Sequence, residues 1–220
     1  MEILQFISDP NNDFLGQTIA YLELCVVAII VAIVLGVGIG AAVSRSPILA
    51  FIAVNLSGLM RAIPAIAFLL AAVPFLGLGF VPAVTALIIL GIPPILLNTY
   101  TGIRGIDPSI IDSGRGMGMT TRQIVRLIQA PIVLPIVAAG IRTAAVQIVA
   151  TATLAGFIGA GGYGNYIVDG LNRFRTAEIL AGAIPVTVLA MIVEVAMGQL
   201  QNALTSPGLK VQDLAESTKA

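Results

Sequence analysis

The chain alternates long apolar stretches with short polar connections. Residues 24–43 form the first stretch, which is long enough for a helix to cross about 30 Å of hydrocarbon. Residues 62–103 contain no charge, and a Pro- and Gly-rich run at 74–82 divides them as a turn would. The pattern predicts five membrane-spanning helices, at about residues 24–43, 48–72, 83–103, 131–155 and 178–204.

Composition supports a membrane protein. Of the 220 residues, 58% are hydrophobic and 10% are charged, and the mean hydropathy is +1.03. A soluble domain carries about 25% charged residues. The chain has no His, and its one cysteine, Cys25, lies in an apolar run, so neither a metal cage nor an internal disulfide is expected. We therefore expect an all-α polytopic membrane helix bundle without catalytic residues, metal or cofactor of its own.

Basic residues in the connections indicate how the chain crosses the membrane, because Lys and Arg stay on the cytoplasmic side. With the N-terminus outside, the cytoplasmic side holds seven basic residues: Arg45, Arg104, Arg115, Arg122, Arg126, Lys210 and Lys219. The outer side holds Arg173 and Arg175. We predict an extracytoplasmic segment at 1–17, a membrane domain at 18–204 and a cytoplasmic polar tail at 205–220.

The longest polar connection, residues 107–131, has the signals of a short helix outside the membrane. Asp107 and Pro108 are a typical N-cap and first helical residue. Gly118 interrupts the pattern, and Pro131 closes the segment where the next span begins. A cytoplasmic helix between two spans is typical of an element that docks against another protein.

The spacing inside this connection resembles a known motif. It reads Asp112-Ser-Gly, three residues, Gly118, nine residues, Ile128, one residue, Ala, Pro131. The cytoplasmic motif of ABC importer permeases reads Glu-Ala-Ala, three residues, Gly, nine residues, Ile, one residue, Leu-Pro. Asp, Ser-Gly and Ala replace Glu, Ala-Ala and Leu here, while the spacing, the glycine, the isoleucine and the proline agree.

Four further blocks resemble one branch of that family, the quaternary-amine permeases for glycine betaine, choline and carnitine that serve in osmoprotection. They lie at residues 98–107, 139–143, 151–164 and 180–185, and the resemblance covers about residues 18–204. It implies the type I ABC importer permease fold in a bacterial plasma membrane. It also implies a second permease subunit, identical or paralogous, two ATPase subunits and an external substrate-binding protein.

The resemblance further implies a contact with the ATPases, since a permease without a nucleotide site can be driven only mechanically. We predict that residues 112–121 are the coupling element; the alternative is a solvated connector. The candidate coupling residues are Asp112, Ser113, Gly114, Arg115, Gly118, Met119, Thr120, Ile128 and Pro131.

Four charged residues fall inside predicted spans: Glu23, Arg61, Arg142 and Glu194. Each costs about 2.5–3.5 kcal/mol on insertion scales, so such residues pair with one another or line a polar path. We predict the pairs Glu23–Arg61 and Arg142–Glu194. The candidate translocation residues are Arg61, Pro64, Arg142 and Glu194, because a proline within a span frees backbone carbonyls that can face a cavity.

A glycine-rich connection precedes the fifth span. Its spacing fits a dinucleotide fingerprint, but no strand precedes it, so a nucleotide site is not expected. We predict a flexible outer gate loop made by Gly159, Gly161, Gly162, Tyr163 and Gly164.

The chain lacks Trp and has few aromatic residues in its spans, so it cannot build a tight aromatic cage for an ammonium group. Substrate affinity is therefore expected to reside in the binding protein. The alternatives are a secondary, ion-coupled carrier of small polar solutes, which usually shows internal repeats, and a channel. The spans hold only two acids and the chain shows no convincing repeat, which disfavours the carrier, and a cytoplasmic docking helix has no evident role in a channel.

Overall fold

The computed structural model describes residues 2–205. Met1 and residues 206–220 lie outside the described residues. The latter range is almost all of the predicted cytoplasmic tail, 205–220. Every regular element within the described range is helical. The predicted all-α class is therefore confirmed.

The N-terminal part of the chain forms two helices and a turn between them. Helix α1 covers Glu2–Ser8, a 3-10 turn covers Pro10–Asn12, and helix α2 covers Phe14–Val43. The carboxylate of Asp13 accepts a hydrogen bond from the backbone N–H of Gly16 and thereby caps α2. The first span therefore starts ten residues before the predicted position, because polar Gln17 and Thr18 are accommodated within the helix.

The second span is broken. Helix α3 covers Pro47–Ala62 and helix α4 covers Ala65–Leu76, and the two axes differ by 97°. The single helix predicted over 48–72 is wrong. Ile63 is extended, as residues before a proline prefer to be, and Pro64 has no N–H with which to continue the helical ladder.

The remaining elements follow in order. They are α5 (Phe80–Arg104), α6 (Pro108–Gly116), α7 (Thr121–Gln123), a π-helical segment (Ile124–Gln129), α8 (Ala130–Thr151), a 3-10 segment (Ala152–Ile158), α9 (Tyr163–Arg173) and α10 (Thr176–Leu204). Helices α5, α8 and α10 confirm the third, fourth and fifth predicted spans. Helix α9 occupies a stretch that the sequence analysis treated as a connection.

Helices α2, α5 and α8 form the centre of the bundle, and glycines bring their backbones together. A Cβ atom on Gly36 of α2 would lie 2.7 Å from the Ile95 Cβ of α5. A Cβ atom on Gly140 of α8 would lie 2.8 Å from the Pro94 carbonyl oxygen of α5. The fully buried Tyr21 of α2 also donates its hydroxyl proton to the Val149 carbonyl. The Gly-rich pattern therefore serves close helix packing.

Large apolar side chains on the outside of the bundle are exposed, including Val26, Ile30 and Val34 of α2 and Ile192 and Val195 of α10. Such a surface suits lipid and not water. By length and composition the described helices provide four membrane spans, or five when the bent α3–α4 pair counts as one. The ends of the spans near α6 and α7 form one face of the molecule, and α1 and α9 lie at the opposite face.

Candidate functional site

Helix α6 begins as the sequence predicts. The Asp107 carboxylate accepts a hydrogen bond of 2.8 Å from the Ser109 backbone N–H, and Pro108 takes the first helical position. This hydrogen bond lowers the pKa of Asp107 below its ordinary value. The cap stays ionised near neutral pH and fixes the start of the helix.

Gly118 ends this helix with a left-handed turn. Its φ is +77°, while nothing lies within 4 Å of the position where a Cβ would stand. The glycine is therefore required by its positive φ and not by a lack of space for a side chain. The backbone N–H of Met119 bonds the Gly114 carbonyl at 3.1 Å, which closes the turn in the manner of a Schellman motif.

A second cap restarts the helix after Gly118. The backbone N–H of Thr120 donates to the Gln123 side-chain oxygen at 2.8 Å, and the Gln123 N–H donates back to the Thr120 hydroxyl. This capping box fixes the entry into α7 and the π-helical segment. The cytoplasmic element is thus two helical pieces joined by a defined corner.

Gly114 joins the two pieces. It is the buried residue of α6, and a Cβ added there would lie 2.9 Å from the Ile128 Cδ1 and 3.5 Å from the Met119 sulfur. Two positions of the motif, 114 and 128, are therefore in direct contact across the corner. The replacement of Ala by Gly at position 114 is compensated by a close approach of Ile128.

The other motif residues mostly face outward. Asp112, Ser113, Arg115, Thr120 and Pro131 are exposed, and Met119 is half-buried. The Asp112 carboxylate and the Arg115 guanidinium form an ion pair of 3.2 Å along one face of α6. An exposed pair contributes little to stability, so these charges remain available to a partner protein.

Of the two predicted ion pairs within the spans, one is present. The Arg142 guanidinium of α8 donates to the Glu194 carboxylate of α10, with a distance of 3.0 Å from Nε to Oε1, and to the Gln201 side-chain oxygen at 3.4 Å. Gly198 of α10 lies against the guanidinium, at the distance where a Cβ would make ordinary contact, 3.4 Å.

The predicted Glu23–Arg61 pair is wrong. The two side chains are both exposed, and neither forms a salt bridge with any residue in the range 2–205. The break at Pro64 turns α4 away from α3, so the second span is not the single straight helix that the predicted span at 48–72 assumes.

Arg61 instead borders a cavity at the break. The cavity has a volume of about 490 Å³ and is lined by Arg61, Pro64, Leu90, Thr143 and Gln147, among others. A second cavity, of about 580 Å³, lies beside the Arg142–Glu194 pair and is also lined by Thr143 and Gln147. The two cavities therefore meet along one face of α8. We call the two together the polar groove.

Sequence reasoning placed Arg61, Pro64, Arg142 and Glu194 on one path, and all four border these two neighbouring cavities. It missed Thr143 and Gln147. Their separation of four residues, which places them on the same face of a helix one turn apart, is the signal that could have found them.

Of the predicted gate residues, Gly162, Tyr163 and Gly164 are buried and Gly161 is half-buried, whereas Gly159 is exposed. Gly159, Gly161 and Gly162 have positive φ angles, whereas Gly164 already belongs to α9. The Gly162 N–H donates to the Gln17 side-chain oxygen at 2.6 Å. Tyr163 is buried, and its hydroxyl donates to the Thr18 hydroxyl at 2.9 Å. The expected flexible loop is instead a tight turn fastened to α2.

A charged turn between α9 and α10 was not predicted. Phe174, at φ +55° and 94% exposed, stands between Arg173 and Arg175. Both arginines approach the Glu178 carboxylate, at 4.0 and 3.0 Å, and the Glu178 side chain is only 5% exposed. Only the spacing of the charges in the sequence hints at this cluster.

Taken together, five apolar spans, a polar groove among them and a capped two-piece helix at one face define a membrane transport protein. The comparisons with known proteins agree. Residues 17–206 match the family described as "Binding-protein-dependent transport system inner membrane component". The chain belongs to this family.

Named relatives match nearly the whole chain. The sequence is 42% identical over 208 residues to the carnitine transport permease protein OpuCB of Listeria monocytogenes, covering 94% of this chain and 95% of the relative. It is 36% identical over 208 residues to the choline transport system permease protein OpuBB of Bacillus subtilis (strain 168), covering 94% and 96%.

Solved structures support the fold. An inward-facing structure of the MetNI methionine ABC transporter superposes with a TM-score of 0.75, covering 88% of this chain and 96% of that chain at 22% identity. At this identity the likeness concerns the fold alone. The bundle is that of a type I ABC importer permease, as the resemblance implied.

Proposed function

We propose that this chain is the permease subunit of an ATP-driven importer that moves carnitine, choline, glycine betaine or a similar quaternary amine into a bacterial cell. The observation that carries the proposal is the capped two-piece helix between α5 and α8, whose two pieces are tied by Gly114 and Ile128. The relatives named for carnitine and choline transport support the substrate class. In this proposal the chain itself uses no cofactor.

The cytoplasmic element, residues 112–121, is the proposed contact with two ATPase subunits. Its exposed face presents Asp112, Arg115 and the 73% exposed Met117, a mixture of charge and apolar surface suited to a protein partner. Because α6 and α7 meet α5 and α8 within a few residues, a push on the element reaches two central helices. A solvated connector would not need caps on both pieces.

The polar groove is the proposed translocation path. Exposed Arg61 and Thr143, half-buried Gln147 and the Arg142–Glu194 pair are costly against lipid, so a second permease subunit, identical or paralogous, is proposed to cover this side of α8. The turn from Gly159 to Gly164 is proposed to form the outer gate. The bias of basic residues supports an outer N-terminus and a cytoplasmic C-terminus.

The transport proposal is tested by uptake of radiolabelled carnitine, choline and glycine betaine in a bacterial strain that lacks osmoprotectant importers. The chain is co-expressed with its candidate ATPase and binding protein. We expect uptake that disappears when the catalytic base of the ATPase is replaced. Uptake that persists without the ATPase and collapses with an ionophore would instead identify a secondary carrier.

Coupling is tested by Gly118→Val, with Gly58→Val of α3, outside the coupling element, as the matched control. Both positions have open space around the Cβ, but only Gly118 has a positive φ, so only Gly118→Val strains the corner, by about 1–2 kcal/mol. We expect normal membrane insertion of both variants and a loss of uptake or ATPase association for Gly118→Val. Unchanged uptake for several substitutions across 112–121 would contradict the coupling role.

Substrate affinity is proposed to belong to the external binding protein. The described spans offer no set of aromatic faces around the polar groove that could enclose an ammonium group. Calorimetric titration of the purified chain with each quaternary amine is therefore expected to show no micromolar binding. Micromolar binding by this chain alone would contradict this assignment.

A further inference from the structure

Two prolines leave backbone carbonyls beside the cavity at Arg61 without their usual donors. In an α-helix each carbonyl accepts from the N–H four residues later, and proline has no N–H. Pro64 therefore leaves the Met60 carbonyl without its usual donor, and Pro94 does the same for Leu90. Met60 and Leu90 both line this cavity.

The same cavity holds one positive charge and two neutral polar side chains. Arg61 forms no salt bridge with any residue from 2 to 205, and Thr143 and Gln147 come from α8 on the other side. The Thr143 hydroxyl donates to the Ala139 carbonyl at 3.0 Å, so its lone pairs can still accept. No acidic side chain lines this cavity, whereas the neighbouring one contains Glu194.

These groups suit the two ends of a zwitterion. A guanidinium with a nearby amide is a donor set for a carboxylate. Carbonyl dipoles favour a positive charge and require no hydrogen from it, which a quaternary ammonium does not have. The volume of about 490 Å³ falls within the roughly 300–1,000 Å³ of small-molecule sites.

We infer that this cavity is a transit site for a carboxylate-bearing quaternary amine, with Arg61 holding the carboxylate and the carbonyls of Met60 and Leu90 facing the ammonium group. The inference rests on the proposed function and deepens it. Arg61 makes the permease discriminate between substrates that carry a carboxylate, such as glycine betaine and carnitine, and choline, which carries a hydroxyl.

This transit site is not expected to determine the substrate affinity of the importer, which is proposed to belong to the binding protein. A cavity open on one side and lacking aromatic faces binds weakly, so its effect falls on the rate of passage and not on capture. The substrate concentration that gives half-maximal uptake reports capture by the binding protein. The maximal rate, measured at saturating substrate, reports passage through the membrane subunit. The two readouts therefore separate the two contributions.

The test compares maximal uptake rates of glycine betaine, carnitine and choline in the complete importer, assembled with a binding protein that accepts all three. In Arg61→Gln we expect the maximal rates for glycine betaine and carnitine to fall about tenfold, the order expected for one charge-assisted hydrogen bond, while choline uptake is retained. Arg61→Lys keeps the charge and is expected to restore part of the loss. Arg45→Gln, at the exposed turn between α2 and α3, is the matched control.

A second variant tests the sign of the charge without removing Arg61. Gln147→Glu adds a carboxylate to the cavity, so it is expected to slow glycine betaine and carnitine and to spare choline. Rates are normalised to the amount of assembled importer in the membrane. Equal losses for all three substrates, or no loss for any of them, overturn the inference. A wild-type importer that moves none of the three contradicts the proposed function itself, and this inference with it.

Discussion

Replacing the glycines on α2 by alanine gives a sharp test of the packing between α2 and α5. Gly36 and Gly40 are four residues apart and share one face of the helix, whereas Gly38, between them, points to the other side. A Cβ on Gly36 would lie 2.7 Å from the Ile95 Cβ, and one on Gly40 would lie 2.8 Å from the Leu96 carbonyl oxygen. Nothing lies within 4 Å of the corresponding position at Gly38.

The expected cost follows from these distances. Ordinary contact begins near 3.4 Å, so alanine at position 36 or 40 must push α5 aside, and an added methyl in a packed core costs about 1–3 kcal/mol. At roughly 2–4 °C per kcal/mol for a chain of this size, we expect the melting temperature to fall by about 2–12 °C. Gly38→Ala is expected to leave it unchanged or to raise it slightly, since alanine favours helix.

Thermal melting of the purified chain in detergent, followed by fluorescence-detected gel filtration, measures the three variants under one condition. The double variant Gly36→Ala/Gly40→Ala is expected to lose less than the sum of the two single losses, because the same helix is displaced by both. If Gly38→Ala were as damaging as Gly36→Ala, the loss would reflect the helix itself, and the close approach of α5 would not be its cause.

Three further predictions follow from single contacts. Tyr21→Phe removes the hydroxyl that bonds the Val149 carbonyl and is expected to lower the free energy of unfolding by about 0.5–1.5 kcal/mol, measured by the same melting assay; an unchanged melting temperature would show that this bond contributes nothing. Glu178→Ala is expected to loosen the turn at Phe174 and expose it to limited proteolysis, whereas Glu178→Gln, which keeps the volume, should loosen it less; equal cleavage of both variants and wild type would contradict the anchoring role. For Asp107 the folded pKa lies below the ordinary value, so its capping is complete above the unfolded pKa and is lost as the pH falls through the folded pKa; hydrogen exchange of α6 should therefore show extra opening in acid that Asp107→Asn does not share.

Much of the fold could be predicted because membrane spans are long apolar stretches with few alternatives. The N-cap at Asp107 and the corner at Gly118 could also be predicted, since both depend on the chemistry of one or two adjacent residues. Local signals of this kind do not require knowledge of what packs against them.

The features that escaped prediction depend on residues far apart in the chain. Pro64 indicated freed carbonyls, but the direction of α4 depends on its packing against α5 and the 3-10 segment. The polar groove needs α8 to lie beside the break in the second span, and the burial of Glu178 depends on the position of α9. Hydrophobic periodicity indicates which face of a helix is apolar, but it does not indicate which other helix packs against that face.

The π-helical segment Ile124–Gln129 has a consequence for insertions and deletions in the chain. Its wider turn, seen in the Ala130 N–H that bonds the Val125 carbonyl, accommodates one residue more than an α-helical turn would. Removing one residue here would let the turn rewind as a regular α-helical turn, and the helical pieces on either side would keep nearly the same relative orientation, because the π-helical turn holds its extra residue as a bulge. The joint therefore tolerates a single-codon deletion, whereas the same deletion in the regular part of α8 would rotate the residues before it by about 100° around the helix axis, with a shift of about 1.5 Å, and re-aim the cytoplasmic element.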